Sequence, residues 1–207
     1  MHQNLLIGKS SNIDFSEISL GTCSSTSTYK DIIIDLSVGI QGDLRESACS
    51  TGTIEVGKPS MASMKSSGET FLYTYCPVSQ RKNVYSRSYW TESILPVALD
   101  CAWKWLKMGE WNCKLLVVDE SGDYSAPVVL TAILLAFFEP NGTLRNWATN
   151  SSNDPNGNFS KEDIRQYLML VQLQLHHHEI PRRFVKELNN FFIREDSGWK
   201  RWLARKT

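Results

Sequence analysis

The stretch KLLVVDESGDYSAPVVLTAILLAFF, Lys114 to Phe138, decides how the rest of the chain is read. It opens on Leu115-Leu116-Val117-Val118, a short apolar run with β-branched residues. Bounded by polar residues and glycine, such a run predicts a buried central strand. Asp119-Glu120-Ser121-Gly122-Asp123-Tyr124-Ser125 then turns the chain. From Ala126 the sequence is apolar on nearly every side for about three turns, the pattern of a buried helix rather than a surface one. Pro127 sits in the first turn, where its missing N–H does no harm. Ser125 or Asp123 is the expected N-cap.

A buried strand, a glycine-containing loop and a buried helix point loop amides and the positive end of a helix dipole at one place, where an anion can sit. Cysteine-dependent phosphatases put a thiolate at the end of that strand and an arginine at the helix start. Here Asp119 stands at the cysteine position, and no arginine occurs between Asp119 and Arg145. Asp119, Glu120 and Asp123 would each repel a phosphate dianion, against a helix dipole contributing only about 0.3–1 kcal/mol. The scaffold reads as phosphatase-like and the chemistry does not.

Other sources of chemistry are weaker. Asp119 as a phosphate-accepting nucleophile would need a metal and a lysine. Glu120 and Asp123 offer carboxylates for Mg²⁺, but no lysine is near in sequence, so a loop capping a helix is the preferred reading. Cys113 is at the wrong end of its strand, and Cys76 reads as a core thiol, which is inert. Adjacent imidazoles at His176-His177-His178 point in different directions and read as a solvated link, not a chelating face. No catalytic residue and no metal ligand is assigned.

The 207 residues suffice for one domain with extensions, and 42% hydrophobic content supports a substantial core. Lys+Arg and Asp+Glu both total 22, which excludes wholesale electrostatic binding of nucleic acid but leaves room for a local basic face. The five cysteines show no CxxC spacing and read as reduced thiols. No export signal is evident, the sequons at Asn141, Asn150 and Asn158 read as chance, and the longest apolar run is too short to span a bilayer. A cytoplasmic, or else nuclear, protein without membrane association is expected.

Outward from the central stretch, Asn4–Gly8 predicts a first strand, Ser10-Ser11-Asn12 a cap for a short helix toward Leu20, and Asp31–Leu36 an interior strand. Residues 37–68 read as an irregular insertion. Phe71–Tyr75 predicts a strand closed by Pro77, and Gln80–Asn83 a basic loop. Trp90–Met108 predicts a helix on a 3.6-residue period, capped by Thr91 and ended by Gly109. Glu139-Pro140-Asn141-Gly142 stops the buried helix. Ser160-Lys161-Glu162-Asp163 resembles a capping box, opening a helix with Ile164, Leu168, Val171 and Leu175 on one face. Pro181 begins a last clear helix packed by Phe184, Val185, Leu188, Phe191 and Phe192. The expected fold is α/β and three-layer, a mostly parallel sheet flanked by helices. Residues 1–195 form that domain and 196–207 a basic, Trp-containing tail.

These segments, in this order, resemble the C-terminal dual-specificity-phosphatase-like domain of the fungal and plant initiator tRNA phosphoribosyl transferases. The similarity lies in Asn4–Ser11, Asp31–Ile34, Phe71–Val78, Leu115–Phe138, and the spacing from Lys161–Arg165 to Pro181–Phe184 and Leu188–Phe192. The order of the segments carries it more than any one motif. The resemblance implies an enzyme family that transfers a ribosyl phosphate from phosphoribosyl pyrophosphate to the 2′-hydroxyl of adenosine 64 in initiator tRNA. It also implies a longer protein whose N-terminal region is catalytic, so this chain is expected to be a fragment, a split product or a degenerate relative. The transferase region would then act in cis or in trans. Against the family's Cys-x-x-Gly-Lys-Asp-x-Ser loop, Asp119–Ser125 keeps a glycine and a serine and lacks the cysteine and lysine.

The expected role is therefore an accessory, tRNA-positioning domain without phosphatase chemistry or a cofactor of its own, phosphoribosyl pyrophosphate being the family's donor. Its degenerate phosphate loop is Asp119, Glu120, Ser121, Gly122, Asp123 and Ser125. Its candidate tRNA contacts are Arg81, Lys82, Arg182, Arg183, Lys200 and Arg201, with Trp199 and Trp202 nearby for unstacked bases. The alternatives are a solvated tail with its tryptophans docked on the core, and a catalytically dead pseudophosphatase that binds protein.

Overall fold

The computed structural model describes residues 5–9, 19–21, 31–36, 60–66, 69–75, 90–108, 114–119, 125–149, 158–174, 180 and 182–206. The chain divides into two compact units. One comprises Met1–His2, Ser86–Leu99 and Asp123–Thr207, the other Gln3–Tyr85 and Asp100–Gly122.

The second unit holds a six-stranded sheet. Its strands are β1 (Leu5–Lys9), β2 (Ser19–Gly21), β3 (Asp31–Asp35), β4 (Ser60–Ser66), β5 (Glu69–Tyr75) and β6 (Lys114–Asp119). Their order is β1-β6-β3-β5-β4-β2. The pairs β1–β6, β6–β3 and β3–β5 are parallel, while β5–β4 and β4–β2 are antiparallel. The two strands predicted as interior, β6 and β3, are each flanked on both sides. Ile32, Ile34, Leu115, Val117 and Val118 are fully buried, as continuous apolar runs in parallel strands require.

Two expectations change here. Leu20, the expected end of a short helix, lies in β2, and β4 falls within the stretch read as irregular. The β4 sequence SMASMKS contains no β-branched or aromatic residue, so its local propensity for a strand is weak. Its pairing with β5, from Ser60 opposite Tyr75 to Ser66 opposite Glu69, supplies what propensity does not.

Trp90–Ile94 forms a π-helical turn that runs directly into α1 (Leu95–Met108). Pro96 in the first turn of α1 has no N–H to donate backward, which accounts for the wide turn before it. Thr91, expected as the cap, is therefore inside the turn. On α1, Leu95, Ala98, Leu99, Ala102 and Trp105 are buried, while Trp103 and Leu106 are half-buried.

The helical unit is centred on α2 (Ala126–Phe137), every residue of which is buried. Its one hydroxyl is satisfied within the helix, where Thr131 Oγ1 donates to the Pro127 carbonyl at 2.7 Å. Ser125 occupies the N-cap position, and its carbonyl accepts from the Val128 and Val129 amides. Its side chain makes no capping bond to the helix, so it caps by position only.

The C-terminal end of a helix leaves four carbonyls without partners, and here those near the end of α2 are taken up by the residues that follow. Phe138 N–H donates to Leu134 O at 2.9 Å, Arg145 Nε to Leu135 O at 2.9 Å, Trp147 Nε1 to Ala136 O at 3.0 Å and Arg145 N–H to Phe137 O at 2.8 Å. The return needed for this is a tight turn at Gly142, whose φ of 85° a side chain would strain.

Four helices follow: α3 (Asn146–Thr149), α4 (Lys161–Gln174), α5 (Arg182–Phe192) and α6 (Gly198–Leu203). The capping box on α4 is present. Ser160 Oγ accepts from Asp163 N–H at 3.1 Å, and Asp163 Oδ2 accepts from Ser160 N–H at 2.7 Å. Ile164, Tyr167, Leu168 and Val171 form the buried face of α4, while Leu175 lies outside the described residues. On α5, Phe184, Leu188, Phe191 and Phe192 are buried. Residues expected in a tail form α6, capped by Ser197 Oγ, which accepts from Lys200 N–H at 3.2 Å. Among the described residues no helix is long and apolar enough to cross a membrane.

Candidate functional site

Within the sheet, β6 ends at Asp119, whose side chain is 3% exposed. The residue expected at the phosphatase nucleophile position is therefore a buried carboxylate. Its neighbour in the sheet register is Lys9 on β1, a lysine that no local motif could have linked to Asp119. On the other side, β3 extends past its last strand residue, and Leu36 N–H donates to Val118 O at 2.9 Å. The C-terminal edge of parallel strands is where open α/β sheets bind ligands. Of the expected loop, Asp119 and Ser125 are placed and both are buried, while Glu120, Ser121, Gly122 and Asp123 lie outside the described residues. Among the described residues no cluster of three or more His, Cys, Asp or Glu could hold a metal ion. Cys101 is buried and forms no disulfide, and Cys76, Cys113 and His176–His178 lie outside the described residues.

The basic candidates divide in the same way. Arg81 and Lys82 lie outside the described residues, whereas Arg182, Arg183, Lys200 and Arg201 are all exposed in the helical unit. Arg182 and Arg183 open α5, and the Arg183 guanidinium lies 4.7 Å from the Phe184 ring centroid.

The tryptophans beside Lys200 and Arg201 are not available to bases. Trp199 and Trp202 are 1% and 0% exposed. They stack on each other at 5.5 Å, and Trp199 meets Phe159, Phe192 and Trp147 at 5.4–5.7 Å. Two aromatic faces of α6 thus enter the core, and its basic residues are left on the outside.

The same unit contains a polar cleft of about 310 Å³ that motif reading does not identify. Lys186 and Asn190 of α5, Arg194 and Asp196 of the following turn, Arg201 of α6 and Glu92 of the π-helical turn line it, with Thr91 and Gly198 between them. Gly198 is required by a close approach. A Cβ there would meet the buried Phe191 ring and come within 2.9 Å of the Thr91 carbonyl. The signal for the cleft was present in the sequence as Arg182, Lys186, Asn190 and Arg194, spaced four apart and so aligned along one face.

The class, a dual-specificity-phosphatase-like domain, comes from the comparison with known families. The family is given by the model of the Rit1 DUSP-like domain, of the initiator tRNA phosphoribosyl transferase family, which matches residues 74–192. That is more than half of the chain, and the chain belongs to this family. The match runs from the end of β5 through α5, so β1, β3 and α6 fall outside it. No curated protein matches the chain.

Proposed function

We propose that this chain is an accessory domain of initiator tRNA modification that helps to position the tRNA and performs no phosphatase chemistry. The observation that carries the second part is Asp119. A buried carboxylate cannot supply the soft, polarisable attack of a thiolate, and it raises the cost of bringing a phosphate dianion to the loop. Family membership and the exposed Arg182, Arg183, Lys200 and Arg201 support the first part. On this reading the donor phosphoribosyl pyrophosphate is handled by a transferase region in cis or in trans, this chain needs no cofactor, and it works in the cytoplasm or nucleus.

Binding of initiator and elongator tRNA to the purified chain across a salt series tests this. Affinity that favours the initiator and falls with salt is expected. Turnover of a phosphotyrosine or phosphoserine substrate would refute the loss of phosphatase chemistry.

A second reading, a protein-binding pseudophosphatase, is favoured by one feature. Met169, Leu170 and Leu173 on α4 are 56%, 37% and 52% exposed, an apolar stripe at one and four residues' spacing. Absence of tRNA binding at low salt would leave this reading in possession.

A further inference from the structure

We infer that the cleft between α5, α6 and the π-helical turn takes one ribonucleotide unit of an RNA strand, an inference that rests on the RNA-positioning role proposed above. At about 310 Å³ it is at the small end of ligand-binding clefts. Its lining has two chemistries. Lys186, Arg194 and Arg201 are exposed cations, and among the described residues none of them is ion-paired with Glu92 or Asp196. Cations held near acids without pairing remain available to an incoming anion.

The charge balance selects the anion. Three cations and two carboxylates leave one positive charge in excess. A phosphodiester carries one negative charge and matches it. A pyrophosphate or a terminal phosphate dianion would meet repulsion from Glu92 and Asp196 that the cations only partly offset. Ionised carboxylates can only accept hydrogen bonds, so their partners are hydroxyl or amino groups. A ribose 2′-hydroxyl provides such a donor beside the phosphodiester, and deoxyribose does not. The Asn190 amide both donates and accepts, as reading a base edge requires. Arg182 lies two i,i+4 steps before Asn190, each about 6 Å along the helix, and extends the cation row beyond the cleft toward a flanking phosphate.

The test uses the whole chain and fluorescence anisotropy with a labelled single-stranded RNA and the DNA of the same sequence. The parent should prefer RNA. K186A and R194A should each weaken RNA binding about tenfold at low salt and reduce the salt slope by about 0.7. The double variant E92A/D196A, which removes both hydrogen-bond acceptors, should bring RNA and DNA affinities together. K161A, on exposed α4 surface outside the cleft, should bind as the parent does. Circular dichroism confirms that each variant is folded. Parent-like binding by K186A and R194A, with loss in R183A, would overturn the cleft assignment while the RNA role stood. Equal parent affinity for DNA and RNA would overturn the ribose contact. No RNA binding by the parent at low salt would overturn the proposed function itself.

Discussion

Replacing Trp199 with alanine separates two roles for α6. If Trp199 is a core residue, W199A removes a side chain that is 1% exposed and packed against Trp147, Phe159, Phe192 and Trp202. A buried aromatic of this kind truncated to alanine costs about 3–5 kcal/mol. The ring contacts make the upper half of that range the expectation, because a residual void among four rings cannot collapse without moving all of them. Against a total stability of about 5–15 kcal/mol for a domain, this would bring the helical unit close to unfolding. If Trp199 were instead a stacking platform for RNA, W199A would cost about 1–3 kcal/mol of binding and leave stability almost unchanged. Urea denaturation followed by far-ultraviolet circular dichroism reads the first quantity, and anisotropy with single-stranded RNA below the transition reads the second. A parent-like urea midpoint with lost RNA affinity would refute the packing argument.

Three further outcomes follow from the helical unit. Tyr167 is buried, donates to Phe138 O at 2.6 Å and accepts from Arg145 Nη2 at 3.1 Å. Burial pushes its pKa above the ordinary 10.0, although the Arg145 charge opposes this. Because the raised value belongs to the folded state, its contribution is complete below about pH 10, where the unfolded chain is also protonated, and is lost as pH rises further toward the folded value. Stability should therefore be flat from neutrality to about pH 9 and fall more steeply above pH 10 in the parent than in Y167F, as measured by denaturation across pH. S160A removes one half of the capping box and should cost about 1 kcal/mol in urea denaturation. G198A forces a methyl group against the Phe191 ring and the Thr91 carbonyl and should cost about 1–3 kcal/mol by the same measurement.

What could be read in advance follows the physics of each segment. The strand at Leu115–Val118, the buried helix from Ala126 and the capping box at Ser160 announce themselves locally, through composition, period and hydrogen-bonding side chains. β4 does not, because SMASMKS has no strand preference of its own and is held by its pairing with β5. The Lys9–Asp119 register is a property of sheet order and is invisible to any local window. The α6 tryptophans were legible as aromatic and basic neighbours, with docking on the core as one of the readings, but a six-residue helix is too short for its period to decide which side is buried. The cleft was hardest. Its lining comes from a π-helical turn, two helices and the turn joining them, and only the Arg182–Lys186–Asn190–Arg194 spacing was visible in the sequence.

The start of α5 gives the sharpest remaining test of whether its cations serve stability or recognition. Arg182 and Arg183 occupy the first turn of that helix, which contains no acidic residue. Cations at a helix N-terminus oppose the macrodipole, each at a cost of about 0.3–1 kcal/mol. Arg182 is exposed and belongs to no ion pair among the described residues, so little packing offsets that cost. R182E reverses the sign of the interaction and should raise stability by about 0.5–2 kcal/mol, the sum of a penalty removed and a favourable charge gained. If Arg182 contacts an RNA phosphate, the same substitution should weaken RNA binding and lower its salt dependence. A variant more stable and less able to bind would assign the arginine to recognition. Lower stability with parent-like RNA affinity would mean that Arg182 supports the helix through contacts the dipole argument omits.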